Sequence, residues 1–107
     1  MLVLALTVTE RVSHPKTGKK QYRKGQTVFV RKRKGDRVKV TGPRNGRASY
    51  VTRWLDARQV ECSRLVDVTI DFLERHKLPE VRTQDERRGL DPTHVPDVPL
   101  LLMMRGA

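Results

Sequence analysis

Thr27-Val28-Phe29-Val30-Arg31-Lys32-Arg33-Lys34-Gly35-Asp36-Arg37-Val38-Lys39-Val40-Thr41 is two alternating runs joined at Gly35-Asp36, and its reading decides the fold. Side chains two apart on a strand share a face. Val28 and Val30 therefore point one way, and Thr27, Phe29 and Arg31 the other. In the second run Val38 and Val40 take one face while Arg37 and Lys39 take the other. Lys34-Gly35-Asp36 is short enough for a hairpin turn. Outward from this pair, residues 2–12 alternate, with Leu2, Leu4, Leu6 and Val8 on one side, and are rich in β-branched types. His14-Pro15-Lys16-Thr17-Gly18-Lys19 is a turn by composition. Downstream, Gly42-Pro43 ends the second run. Residues 48–54 form a fourth strand, 55–58 a tight helical turn, and 59–61 a short closing strand. Five short strands with basic turns and few apolar residues predict a mainly β protein built as a small, partly open barrel.

Three stretches add a resemblance. Gly25-Gln26-Thr27-Val28-Phe29-Val30-Arg31-Lys32, Gly42-Pro43, and Trp54-Leu55-Asp56-Ala57-Arg58-Gln59-Val60-Glu61 resemble small Src-homology-3-like barrels. The nearest flavour is the C-terminal DNA-binding barrel of retroviral-type integrases. The likeness covers residues 24–61, with Gly42-Pro43 at a different spacing. It implies a five-stranded Src-homology-3-like barrel, a fold reused for DNA, RNA, ribosomal, peptide and virion contacts.

Past Ser63 two periodicities compete. Leu65, Val66, Val68, Ile70, Phe72 and Leu73 cluster on one side of a helical wheel, with Ser63 placed to cap it. Residues 66–72 also alternate as a half-buried strand would. Adjacent Phe72-Leu73 and the run Glu74-Arg75-His76-Lys77 favour a C-terminal helix over 64–77, ended by Leu78-Pro79. Thr83-Gln84-Asp85-Glu86 has capping-box spacing for one short helical turn reaching Gly89. Pro92, Pro96 and Pro99 then predict an extended tail. The expected organisation is a basic barrel over 1–62, a helix packed on it over 63–78, and the tail over 79–107.

Charge gives the function class. The chain carries a net +11, and residues 14–47 hold thirteen Lys or Arg against one acid, Asp36. The remaining residues have ten basic and eleven acidic side chains, so one third of the chain carries the whole imbalance. Like charges packed together oppose compaction, and a merely solvated surface usually mixes both signs, so the segment favours a polyanion partner over a surface built for solubility. Neutralising phosphates releases counterions, which is what clustered cations exploit. The expected nucleic-acid contacts are Lys19, Lys20, Arg23, Lys24, Arg31, Lys32, Arg33, Lys34, Arg37, Lys39, Arg44 and Arg47. Lys16 completes the thirteen cations. Tyr22, Phe29, Tyr50 and Trp54 offer stacking rings. In a barrel this small Phe29 and Trp54 read as core, and Tyr22, between Gln21 and Arg23, reads as the exposed ring.

Other classes find little support. His14, His76 and His94 lie at no zinc spacing, and Cys62 stands alone, so no metal, cofactor or catalytic site is expected. Asp67, Asp71 and Glu74 read as a solvated helix face. No apolar run approaches the roughly 18 residues of a membrane span. The opening Met1–Leu6 lacks the basic start of a secretory signal. A lone cysteine fits a reducing compartment, so the expected location is cytoplasmic or within a virion or other large assembly. Leu100, Leu101, Leu102, Met103 and Met104 are an apolar patch expected to meet a protein partner or a sister subunit. A small non-enzymatic nucleic-acid-binding module is the leading expectation. A structural or adaptor subunit of a bacteriophage virion or ribonucleoprotein, docked through that tail, is the alternative.

Overall fold

The computed structural model describes residues 1–93. They form strands β1 (Leu2–Val8), β2 (Val12–Ser13), β3 (Lys20–Tyr22), β4 (Thr27–Lys34), β5 (Arg37–Pro43), β6 (Tyr50–Asp56) and β7 (Val60–Asp67), then helices α1 (Ile70–Arg75) and α2 (Gln84–Leu90). Five strands make one antiparallel sheet in the order β6-β5-β4-β1-β7, and β2 pairs with β3 in a separate hairpin. The fold is mainly β, as the alternating runs predict.

Gly35 and Asp36 alone separate β4 from β5. Gly35 has φ +60° and Asp36 has no positive φ, the pattern of a type II′ hairpin turn. Residues paired directly across a sheet share a face. Leu6 lies opposite Val28, Val30 opposite Val40, and Val38 opposite Leu55, and all six are buried. This face, with Leu4, Val8, Val60, Tyr22 and Val12, is the core.

Strand β1 departs from its expected one-sided burial. Leu2 is exposed, whereas Val3, Leu4, Ala5 and Leu6 are all wholly buried. The strand sits between β4 and β7, and its second face is covered as well. Ala5 lies opposite Phe29, whose ring meets Phe72 of α1 edge-on at 5.2 Å.

The helix expected over 64–77 is corrected. Residues 64–67 belong to β7, where Leu65 pairs with Leu4 and Val66 with Val3. Strand pairing along β1 takes these side chains before any helix begins. Thr69, not Ser63, is the cap: its Oγ1 accepts from the Phe72 N–H at 3.1 Å. The predicted turn at Thr83 is present and extends one residue beyond Gly89 to Leu90. Thr83 Oγ1 accepts from the Glu86 N–H at 3.2 Å. Leu90 packs on the core, and Val81 is part of it.

Candidate nucleic-acid interface

A bulge in β4 decides which cations face outward together. Val30 pairs with Val40, but the next pair is Lys32 with Lys39, leaving Arg31 as the extra residue. A bulge of one residue exchanges the faces of everything beyond it. Lys32 and Lys34 therefore join Arg37 and Lys39 on the outer face, and Arg33 turns to the Val38 face. Lys39 in turn lies opposite Trp54 of β6. Lys32 Nζ stands 5.6 Å from the Trp54 ring centroid and Arg37 Cζ stands 5.8 Å from it. Both lie within the reach of a cation–π contact. Lys34, Arg37 and Trp54 line a shallow cleft of about 240 Å³.

A second group gathers at the other end of β4, about 23 Å away along the strand. Gln26 ties it together. Its amide donates to the Pro43 carbonyl, and its Oε1 accepts from the Arg23 N–H at 3.0 Å. The turn before β4 is thereby held against the loop between β5 and β6, where the Arg23 guanidinium lies over Gly46. Two concavities result. One, of about 500 Å³, is lined by Arg23 and Lys24 together with Phe29, Pro43 and Tyr50. The other, of about 450 Å³, is lined by Lys19, Lys20, Arg44, Asn45, Arg47 and Ser49.

The predicted contacts thus divide. Lys19, Lys20, Arg23, Lys24, Arg44 and Arg47 form the loop-end group, and Lys32, Lys34, Arg37 and Lys39 form the hairpin-end group. The thirteen cations of 14–47 do not form one continuous face. Arg31 sits half-buried at the bulge. Arg33 is engaged internally: its Nη1 donates to the Asp91 carbonyl and its Nε to the Gly35 carbonyl, each at 2.9 Å. Lys16 lies in the turn whose N–H groups, its own and that of Thr17, donate to His14 Nδ1.

Tyr22 is corrected from exposed ring to core. It is wholly buried, because β3 folds inward and its hydroxyl donates to the Val51 carbonyl at 2.7 Å. Burial pushes its phenol well above the usual range, with Arg53 pulling the other way, so it stays a neutral donor. Trp54, read as core, is instead half-buried on the outer face. Its pairing with Lys39, itself alternating with two core valines, was the available signal. Phe29 is also half-buried, under Phe72. Asn45 and Ser49 join the second concavity with no mark in the sequence beyond their loop. Leu100, Leu101, Leu102, Met103 and Met104 lie outside the described residues.

No carboxylate lines any of these three clefts. Among the described residues the ion pairs are Met1–Asp67, Arg75–Asp71 and Arg82–Glu80, so the two cationic groups are not neutralised by them. Arg64 is a cation used structurally, donating to Thr7 Oγ1 and Thr27 Oγ1 across the sheet. Four acids sit on the helices, Asp71 and Glu74 on α1 and Asp85 and Glu86 on α2, while Asp56 of β6 lies opposite Arg37. Among the described residues no cluster of His, Cys, Asp and Glu could hold a metal ion, and no helix is long and apolar enough to cross a membrane. Comparison of the chain with protein-family models, curated proteins and solved structures finds no match in any of the three.

Proposed function

We propose that this chain is a small non-enzymatic module that holds nucleic acid mainly through its phosphates, with low sequence specificity, on a Src-homology-3-like barrel. The sheet order and the inserted β2–β3 hairpin support the barrel reading. So does the helical turn Ala57–Gln59 ahead of the last strand. The observation that carries the function is the arrangement of cations. Ten of them fall into two groups around clefts open to solvent, and although Asp56 lies opposite Arg37, no carboxylate among the described residues is in ion-pair contact with them. Repulsion within each group works against folding, and a polyanion relieves it. Contacts of this kind position a partner more than they read its bases.

A binding titration at several salt concentrations tests the reading. With six or more phosphate contacts, affinity falls about 10³-fold or more between 50 and 200 mM salt. An affinity that ignores salt overturns it.

A further inference from the structure

We propose that Trp54 is a stacking platform for an unpaired base, so that the preferred partner is single-stranded nucleic acid. This rests on the nucleic-acid reading above and narrows it to one class of partner.

Three observations converge on the ring. Trp54 is half-buried, on the outer face of edge strand β6, with Lys32, Lys39 and Arg37 around it on the same face. Lys32 and Arg37 approach its ring at 5.6 and 5.8 Å. Lys32, Lys34 and Arg37 are exposed, and no ion pair among the described residues holds them, so they can swing aside to flanking phosphates. A tryptophan rimmed by exposed cations offers a base an aromatic face and its phosphates a counter-charge at one place. Every base has a π-face, so stacking of this kind tolerates any sequence. In a duplex those faces are already occupied by neighbouring base pairs.

The helices offer a duplex little. An inserted helix is one means of reading a major groove. The two described helices span six and seven residues, and both carry acids in their first turn that phosphates repel. The other outward rings are already engaged. Tyr50 stacks on His76 at 4.1 Å, and Phe29 is capped by Phe72. Trp54 is left as the ring that a base can reach.

Trp54 is the only tryptophan in the chain, so intrinsic fluorescence reports on it alone. The full chain is titrated at low salt with an oligothymidine of about 15 nucleotides, and separately with a blunt duplex of equal length. Binding is read in parallel by anisotropy of labelled strands. The single strand is expected to quench the fluorescence and to bind at least several-fold more tightly than the duplex. Trp54→Ala is expected to weaken single-strand binding about tenfold, to leave duplex binding within about twofold, and to keep the salt slope. Trp54→Phe, which retains a ring, recovers most of the loss, and its circular dichroism checks the fold. Equal affinities for the two forms, or binding without quenching, overturn the stacking role while leaving the phosphate-binding reading intact. Absence of salt-dependent binding to either form overturns both.

Discussion

The hydroxyl of Tyr22 donates to the carbonyl oxygen of Val51 at 2.7 Å, pinning the β2–β3 hairpin to edge strand β6. The ring fills the core, and the hydroxyl shares the Val51 carbonyl with the Thr41 hydroxyl, which donates to it at 3.4 Å. Tyr22→Phe keeps the ring and removes only the hydroxyl, with its bond to Val51 and its longer contact with the Val40 carbonyl at 3.4 Å, which costs about 1 kcal/mol. Tyr22→Ala also opens a cavity and costs about 3–5 kcal/mol. Urea denaturation measures both. Tyr22→Phe is expected to bind oligonucleotides as the wild type does, because the phenol faces no solvent.

Arg33 and its neighbours on β4 and β5 separate structural cations from binding ones. Arg33→Gln loses the guanidinium bonds to the carbonyls of Asp91 and Gly35 and so loosens the end of α2. A loss of about 1–2 kcal/mol is expected, with an unchanged salt slope. Lys34→Gln combined with Arg37→Gln does the reverse. Stability stays within about 0.5 kcal/mol, as at most exposed positions. The slope of log affinity against log salt falls by about 2, one for each phosphate contact removed. Thermal melts and salt titrations on the same samples separate the outcomes.

Gly42 is closely packed within the sheet. A Cβ there would come within 2.8 Å of Val28 Cγ1 and 3.4 Å of the Thr27 carbonyl oxygen. Val28 is wholly buried and cannot swing aside. Gly42→Ala is therefore an overpacking change costing about 1–3 kcal/mol. At about 4–8 °C per kcal/mol for a domain of this size, calorimetry resolves it easily.

The alternating runs over 27–41 were legible because local pattern and tertiary environment agree there: Val28, Val30, Val38 and Val40 are all buried. The helix expected over 64–77 failed where two periodicities coexist. Residues 64–67 can make either a helix face or a strand, and what decides between them is the partner strand β1, more than fifty residues away. Tyr22 was misplaced for a related reason. Charged neighbours in sequence say nothing about a ring that a hairpin folds inward. The candidate site was legible as a composition and not as a surface. A bulge at Arg31 leaves no trace in an unbroken run of four cations, yet it sends Arg33 to a structural role and brings Lys32 beside Trp54.

His76 links pH to the seating of α1. Its ring stacks on Tyr50 at 4.1 Å and lies 4.5 Å from Phe72, so α1 is fastened to the sheet partly through a neutral imidazole. Desolvation, with a smaller contribution from the nearby Arg75 charge, lowers its pKa from the ordinary 6.5. The unfolded chain therefore takes up a proton at a higher pH than the folded one does. Between the two values the unfolded state binds more protons, so stability rises with pH across that window. The contribution is fully present above about pH 6.5 and is lost as the pH falls through the folded value. His76→Phe keeps an aromatic ring against Tyr50 and cannot titrate. Urea midpoints of the two proteins, followed from about pH 8 down to about pH 5, are expected to hold a constant offset at the alkaline end. They should diverge on acidification, with the wild type losing more. Parallel curves throughout would mean that His76 carries the same proton affinity folded and unfolded, and that the stack on Tyr50 does not depend on its charge.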